Sequence, residues 1–151
     1  MKKRKIIHIY HRSYNSYFPL KDSEYYYLAG WSSAVARQTV KYTNKYIIEN
    51  WRPEREVEKP TIREVQGVIC RLFPVKYISH FGDWSPIMLK ELKKQVRNYE
   101  ILVHHSSIHS NSLRLIALFF KNIPIIAQQH GDSPALMHFR QNKKPTALLG
   151  H

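Results

Sequence analysis

The chain has 151 residues, of which 43% are hydrophobic, and its formal net charge is +13. This length suits one domain and is too short for two full α/β domains, and the apolar content argues against intrinsic disorder. Cys70 is the only cysteine, which excludes an internal disulfide framework and a cysteine-based zinc site and fits a reducing, cytoplasmic compartment. No apolar run approaches the length of a membrane span. The apolar stretch behind the basic N-terminus is broken at His8, His11 and Arg12, which argues against a signal peptide.

The first third of the sequence predicts a strand, a long loop and a helix. A short β-branched run at residues 5–10 predicts a buried first strand. Residues 12–29 then form a loop that is long for a compact domain, and such loops are often functional. Ser32 or Ser33 is a suitable N-cap for a helix that extends to about residue 45.

The middle of the sequence predicts two strands separated by a surface connection. Residues 46–48 begin a second strand that ends near Pro53. Residues 53–64 are charged and contain two prolines, which predicts an exposed connection. Residues 65–73 are apolar and predict a third strand.

The last part predicts two further strand and helix pairs. Ser85 followed by Pro86 marks the start of a helix, because Ser caps helix N-termini and Pro favours the first helical position. Residues 100–105 predict a fourth strand, residues 106–121 a buried helix, and residues 123–128 a fifth strand.

Strands that alternate with helices predict a Rossmann-like, doubly wound α/β domain with a mainly parallel sheet and right-handed crossovers. In the common strand order, the first and fourth predicted strands are neighbours at the topological switch point. Ligands of such sheets bind there, outside the carboxyl ends of the strands.

Polar residues follow several of these predicted strands, and most of them should therefore meet at one edge of the sheet. They are His11 and Arg12 after the first strand, His104 and His105 at the end of the fourth, His130, Gly131 and Asp132 after the fifth, and Gly30, Trp31 and His109 in strand-to-helix loops. Three interpretations of the histidines stay open: hydrogen bonding to a polyhydroxylated ligand such as a sugar, metal binding, and internally satisfied structural side chains. Metal binding is the least favoured, because adjacent strand residues point to opposite faces and cannot easily bind one ion.

Two groups of basic residues carry much of the positive charge. They are Arg37, Lys41 and Lys45, predicted as a stripe on the first helix, and Lys90, Lys93, Lys94 and Arg97, predicted as the exposed face of the helix after Ser85. Such charge attracts nucleic acid, anionic membrane surfaces or phosphorylated substrates, and it is also compatible with a solvated face that binds nothing. No RNA-binding or zinc-finger motif accompanies the charge, so nucleic acid is the less favoured partner.

The motifs of several enzyme classes are absent from the sequence. There is no Gly-x-Ser-x-Gly nucleophile elbow, no Gly-x-Gly-x-x-Gly dinucleotide fingerprint and no Gly-x-x-x-x-Gly-Lys-Ser/Thr loop. We therefore predict no bound cofactor. A basic α/β domain that binds nucleic acid or a nucleotide without catalysis is the alternative to the enzyme described next.

Four segments occur in an order that resembles a known family. They are a Gly-containing turn that opens a helix at residues 29–36, the strand-like segment GVICRLFP at 67–74, YEILVHH at 99–105, and IPIIAQQHG at 123–131. Together they resemble the N-terminal, acceptor-side domain of family-4-like GT-B glycosyltransferases (the group 1 type), and the resemblance covers nearly the whole chain.

The resemblance implies roles for individual residues. The turn at Gly30 and Trp31 would let backbone amides approach the phosphates or the sugar of the donor, and His130 would be the catalytic residue that contacts the transferred sugar. Here Gly30 is followed by a bulky Trp31, whereas the family usually has two adjacent glycines. The long loop after the first strand would help to select a lipid or saccharide acceptor. No metal is implied in catalysis.

The resemblance also implies a partner domain. Members of the family hold the nucleotide-sugar donor in a second Rossmann-like domain, so this chain is expected to be an incomplete, inactive half until it is joined to one. An anionic membrane surface or a lipid-linked acceptor is the further partner that the basic helices predict.

Overall fold

The computed structural model describes residues 1–14, 23–79 and 81–129, and these residues form an α/β fold around a six-stranded sheet. In chain order the elements are β1 (Lys3–Ile9), α1 (Glu24–Tyr27), α2 (Trp31–Tyr42), β2 (Ile47–Glu54), β3 (Thr61–Val65), β4 (Val68–Pro74), α3 (Pro86–Asn98), β5 (Tyr99–His105), α4 (Asn111–Phe119) and β6 (Ile125–Ala127).

The sheet has the order β3-β4-β2-β1-β5-β6, and every neighbouring pair is parallel except β3 and β4. The mainly parallel sheet is therefore confirmed, and it is compatible with a Rossmann-like fold. β1 pairs with β5, with Ile7 opposite Val103 and Ile9 opposite His105. The predicted first and fourth strands are thus neighbours, as expected for a switch point between them.

Two hydrophobic clusters cover the two faces of the sheet. The first joins the sheet to α3 and α4 and contains Ile7, Ile9, Trp51, Phe73, Met88, Leu92, Ile101, Val103 and Ile116. The second joins it to α1 and α2 and contains Tyr26, Tyr27, Ala36, Ile48, Val65, Val68, Cys70 and Leu72. Cys70 is a buried free thiol, and burial raises its pKa to about 11. Helices on both faces explain why the parallel strands are buried along most of their length.

Ion pairs keep the charged residues of β2 buried, and the strand ends close to the predicted end near Pro53. Glu49 is fully buried, and it accepts hydrogen bonds from Lys5 Nζ at 2.9 Å and from Trp51 Nε1 at 2.6 Å. Arg52 and Glu54 are also fully buried and pair with each other at 2.8 Å. Because each charge has a partner, β2 continues through Pro53 to Glu54.

A β-hairpin replaces part of the predicted surface connection and splits the predicted third strand. β3 runs antiparallel to β4, and Val65 lies opposite Val68. The turn residues Gln66 and Gly67 have φ values of 51° and 80°. Positive φ at both central residues is typical of a type I′ turn, which suits the twist of a two-residue hairpin. The prediction that all of residues 53–64 form a connection was therefore wrong.

The bounds of two helices also differ from the prediction. Gly30, not Ser32 or Ser33, is the N-cap of α2, and α2 ends at Tyr42, so Lys45 lies beyond the helix and is not part of a helical stripe. α4 begins at Asn111 rather than Ser106, because the Ser110 hydroxyl accepts a hydrogen bond from the amide of Leu113 at 3.1 Å and caps the helix there.

The burial of α4 was predicted too broadly. Within the described part of the chain, Ile116 is fully buried, whereas Leu118 and Phe119 are 61% and 67% exposed. α3 behaves as predicted. Ser85 caps it, Met88 and Leu92 face the core, and its basic residues Lys90, Lys93, Lys94 and Arg97 are exposed.

Candidate functional site

The candidate site lies at the carboxyl edge, by which we mean the carboxyl ends of the parallel strands. Backbone hydrogen bonds hold the chain together just past the strand ends: Ser106 N donates to Ile9 O, and Gln128 N donates to His105 O, each at 2.9 Å. The ends of β1, β5 and β6 are therefore hydrogen-bonded neighbours, and the residues that follow them begin side by side. α2 packs on one face of this edge and α3 and α4 on the other, so the edge between β1 and β5 is the switch point.

His11 follows β1 and is held by several hydrogen bonds. Its backbone N–H donates to Ser106 Oγ at 3.0 Å, and its Nδ1 lies 2.7 Å from the same oxygen. Its carbonyl oxygen accepts a hydrogen bond from the amide of Asp83 at 2.9 Å. Burial and, secondarily, the charge of the exposed Arg12 lower the pKa of His11 to about 4, so its imidazole is neutral at pH 7.

Asp83 connects three segments of the carboxyl edge. It is 2% exposed, and its carboxylate accepts hydrogen bonds from Ser13 N at 3.0 Å and from Arg55 Nε and Nη2 at 3.3 Å each. Gly82 precedes it with a φ of 100°, and a Cβ there would lie 2.7 Å from His11 O. The loop before α3 thus packs tightly against the end of β1, and only glycine fits at this position.

Glu54 anchors the residues after His11 to the end of β2. Its buried carboxylate accepts hydrogen bonds from Tyr14 N at 3.1 Å, from the hydroxyl of Ser13, and from Arg52 Nε. The guanidinium of Arg52 also lies 4.9 Å from the centre of the Tyr26 ring. Burial raises the pKa of Tyr26 to about 12. The first residues of the long loop are therefore fixed by two buried carboxylates.

His8 and His104 form a buried pair on the α2 face of the sheet. Their Nδ1 atoms are 2.9 Å apart, so one ring donates and the other accepts. His104 Nε2 lies 3.0 Å from Gln128 Oε1, and His8 Nε2 lies 3.4 Å from Thr39 Oγ1. Burial and the nearby His104 lower the pKa of His8 to about 3. The pair is an internal hydrogen-bonded chain and not a free binding group.

His105 points to the opposite face of the sheet from His104, as predicted. Its Nε2 lies 2.8 Å from Ser112 Oγ, and its Nδ1 accepts a hydrogen bond from Ser107 N at 3.2 Å. It is fully buried, and burial lowers its pKa to about 3. Both ring nitrogens of His104 and of His105 thus have partners within the protein, which favours the structural interpretation for these two residues.

Gly30 and Trp31 lie at the start of α2, beside the end of β1. Gly30 has a φ of 87°, and a Cβ there would lie 3.0 Å from the ring of Tyr10. No side chain caps the helix at Gly30. The partly buried Trp31 ring meets His104 edge-on, with 5.6 Å between ring centres. The glycine is therefore required by the packing of Tyr10 as well as by its backbone conformation.

His109 is exposed in the loop before α4. His130, Gly131 and Asp132 lie outside the described residues. Over residues 1–14, 23–79 and 81–129, no three His, Cys, Asp or Glu side chains come together in a way that could bind a metal ion.

The two basic groups lie on opposite faces of the sheet. Arg37 and Lys41 line a groove of about 460 Å³ beside α2, together with Gln66 of the hairpin turn. The basic face of α3 belongs to the other layer. The structure therefore does not bring the two groups into one surface.

Sequence reasoning identified His11 but missed the residues that hold it. Asp83, Glu54 and Arg55 were not predicted as part of the site, because their partners come from segments far apart in the sequence. The available signal was a Gly-Asp pair two residues before a helix cap, in a chain with only 11 acidic residues.

Comparison with protein-family models, with curated proteins and with solved structures finds no match to this chain. None of the helices in the described part of the chain is long and apolar enough to cross a membrane.

Proposed function

We propose that this chain is the acceptor-side domain of a GT-B glycosyltransferase. Joined to a donor-binding domain, it would transfer a sugar from a nucleotide-sugar donor to a lipid or saccharide acceptor. The mainly parallel sheet with a switch point between β1 and β5 supports this proposal, because such sheets bind ligands at that edge. The four segments that resemble the family supply the reaction class.

The observation that carries the proposal is that His11 and the Gly30-Trp31 turn both lie beside Tyr10 at the end of β1. Tyr10 links them, since its ring lies against Gly30 and 4.9 Å from the ring of His11. A neutral imidazole suits hydrogen bonding to hydroxyl groups, and an indole ring offers a flat apolar surface for the face of a sugar. The start of α2, where no side chain caps the helix, suits an anionic group of the donor.

The basic face of α3 is our candidate for contact with a membrane that carries a lipid acceptor. Its cations Lys90, Lys93, Lys94 and Arg97 are exposed on one helix. Basic residues near an anionic leaflet contribute about 1 kcal/mol each to association. The helix lies in the layer that packs against β5.

A binding assay tests the proposal with the chain itself. We expect an oligosaccharide or lipid-linked acceptor to raise the melting temperature, because a ligand of the folded state stabilises it. Trp31→Ala should weaken that binding about 10-fold, or ~1.4 kcal/mol. Tyr42→Ala is the matched control, since Tyr42 is an 86% exposed aromatic residue at the other end of α2.

Two outcomes would remove the proposal. One is that Trp31→Ala and Tyr42→Ala bind the acceptor equally well. The other is that the chain binds RNA instead, with an affinity that falls steeply as salt is raised, which would favour the nucleic-acid alternative suggested by the net charge of +13.

A further inference from the structure

A groove between α2 and the turn of the β3–β4 hairpin contains two cations, and none of its described lining residues is acidic. We call it the α2 groove. Its volume of about 460 Å³ is within the range of roughly 300–1,000 Å³ that is usual for binding pockets. Arg37 and Lys41 line it from the helix, and Gln66 lines it from the turn. The turn leads into the start of β4, so the groove lies toward the opposite edge of the sheet from the proposed glycosyltransferase site.

A close contact between the helix and the turn fixes one end of the α2 groove. A Cβ added to Gly67 would lie 3.0 Å from Val40 Cγ1, so the turn and the helix touch at this point. Glu64 is the acidic residue closest in sequence to the turn, and it lines a different cavity of about 140 Å³. The hairpin therefore shapes the α2 groove without pairing with its cations.

Arg37 has donor capacity that the protein does not use. Its Nε is buried and has no hydrogen-bond partner. In the part of the chain that the structure describes, neither Arg37 nor Lys41 forms an ion pair. A buried N–H without an acceptor is unfavourable, so a ligand that supplies the acceptor gains affinity. A carboxylate can accept from Nε and an outer nitrogen together, once a rotation of the side chain turns Nε toward the groove.

The spacing of the two cations suits the carboxylates of an extended peptide. Residues 37 and 41 are four positions apart on α2, which corresponds to a rise of about 6 Å along the helix axis. In an extended chain, residues i and i+2 lie on the same side and are about 6.6–6.8 Å apart. Ala34 and Val35 continue the groove toward the start of α2 with apolar surface, which suits an apolar side chain two positions further along the same peptide.

We propose that the α2 groove binds an extended, acidic segment of a partner protein. Two carboxylates of the segment contact Arg37 and Lys41, and an apolar side chain lies against Ala34 and Val35. The matching pattern is one apolar and two acidic residues at alternate positions. The proposal is independent of the glycosyltransferase proposal, since it concerns a different part of the molecule.

Two observations favour a peptide over the polyanions that the net charge also attracts. The groove combines only two cations with apolar surface, whereas sites for single-stranded nucleic acid combine a basic track along the backbone with stacked aromatic rings. The basic face of α3 lies on the other face of the sheet, so one membrane surface cannot contact both basic groups. A short peptide needs only the groove itself.

A labelled peptide of the sequence Gly-Leu-Ser-Glu-Ser-Glu-Gly is the probe, and fluorescence anisotropy measures its binding. The reversed sequence is used in parallel, because the spacing does not define the direction of the chain. We expect saturable binding of at least one of the two peptides. Replacing both of its glutamates by glutamine should weaken binding at least about 10-fold, as expected when charged hydrogen bonds are lost. No binding of either peptide to the wild type would overturn the proposal.

Variants of the two cations locate the peptide. Arg37→Gln and Lys41→Gln should each weaken binding about 10-fold. Arg97→Gln and Lys90→Gln are the matched controls, because they remove the same charges from the exposed face of α3 and should change the affinity less than about 2-fold. Equal losses in the groove variants and the α3 variants would show attraction by net charge alone and would refute the site.

A charge exchange keeps the test decisive if Arg37→Gln does not fold. Lys41 is exposed, so Lys41→Glu should fold normally. This variant should lose the acidic peptide and gain binding of a peptide in which the outer glutamate is replaced by lysine. Wild-type affinity of Lys41→Glu for the acidic peptide would contradict the proposal.

NMR and two competing ligands complete the test. The ¹H–¹⁵N signal of Arg37 Nε should shift when the glutamate peptide binds, and an unchanged signal during saturable binding would place the peptide elsewhere. Tighter binding of an RNA oligonucleotide or of phosphatidylglycerol vesicles, lost in the same two groove variants, would show that the groove binds phosphates and would overturn the peptide proposal. None of these outcomes affects the saccharide test of Trp31, which lies at the other end of the groove helix.

Discussion

Replacing a buried histidine should change how the stability of this protein depends on pH. His8 and His105 are 2% and 0% exposed, and burial lowers the pKa of each to about 3, against a usual value of 6.5. Below pH 6.5 the unfolded chain therefore binds more protons than the folded chain. The stability that these residues contribute is complete above pH 6.5 and is lost progressively as the pH falls toward about 3.

The expected magnitude follows from proton linkage. Between pH 5.5 and pH 4.5, each histidine that is protonated only in the unfolded state lowers the free energy of unfolding by about 1.3 kcal/mol. The two residues together contribute about 2.6 kcal/mol, a large part of the 5–15 kcal/mol that is usual for a folded domain. The loss should therefore be easy to measure.

Urea denaturation at pH 7.0, 5.5 and 4.5 is the assay. His105→Gln keeps a polar group near Ser112 but does not titrate, so the decrease between pH 5.5 and 4.5 should be smaller by about 1.3 kcal/mol than in the wild type. The variant is also expected to be less stable at pH 7.0, which does not affect the slope. The control, His109→Gln, changes an exposed loop residue and should follow the wild-type curve. Parallel curves for the wild type and His105→Gln would refute the reasoning.

Three further predictions concern catalysis and packing. In the chain joined to a nucleotide-sugar-binding domain, His130→Ala should lower kcat about 100-fold, as expected when a hydrogen-bond donor that stabilises the transition state is removed. An unchanged kcat would remove His130 from the site. Gly82→Ala should destabilise the fold by ~2 kcal/mol in urea titrations, because its Cβ would lie 2.7 Å from a backbone oxygen; Gly67→Ala, whose Cβ meets only a side chain, should cost less. Glu49→Gln should lower the free energy of unfolding by ~3–5 kcal/mol, because it leaves a buried lysine and a largely buried arginine without their carboxylate. Glu100→Gln breaks only an exposed pair and should leave the stability almost unchanged. Equal effects of the two variants would show that burial does not set the size of the loss.

The parts of the fold that depend on local signals were predictable from the sequence. The Ser85-Pro86 start of α3 and the apolar runs of β1 and β5 predicted these elements, and strand–helix alternation predicted the neighbouring positions of β1 and β5. Each signal lies within a few residues of the element that it specifies. The order of the parallel strands then followed from general rules of connection.

The features that sequence analysis missed depend on partners from distant segments. The full burial of Glu49 within β2 depends on Lys5 and Arg71, which pair with it from distant segments. The hairpin at Gln66 and Gly67 was missed because charge and proline between residues 53 and 64 suggested an exposed connection. Hydrophobicity also overestimated the burial of α4, since apolar residues at its end are exposed in the described part of the chain.

The same dependence on distant partners explains why His11 is a better candidate for ligand contact than the other histidines near β1 and β5. The rings of His104 and His105 use both nitrogens inside the protein. Among the described residues, His11 uses only one ring nitrogen, and its backbone is fixed on both sides by Ser106 and Asp83. A donor held in this way loses little conformational freedom when it binds a ligand, so more of each new hydrogen bond appears as affinity. The buried carboxylates of Asp83 and Glu54 are therefore most simply understood as the support that keeps this side of the carboxyl edge rigid.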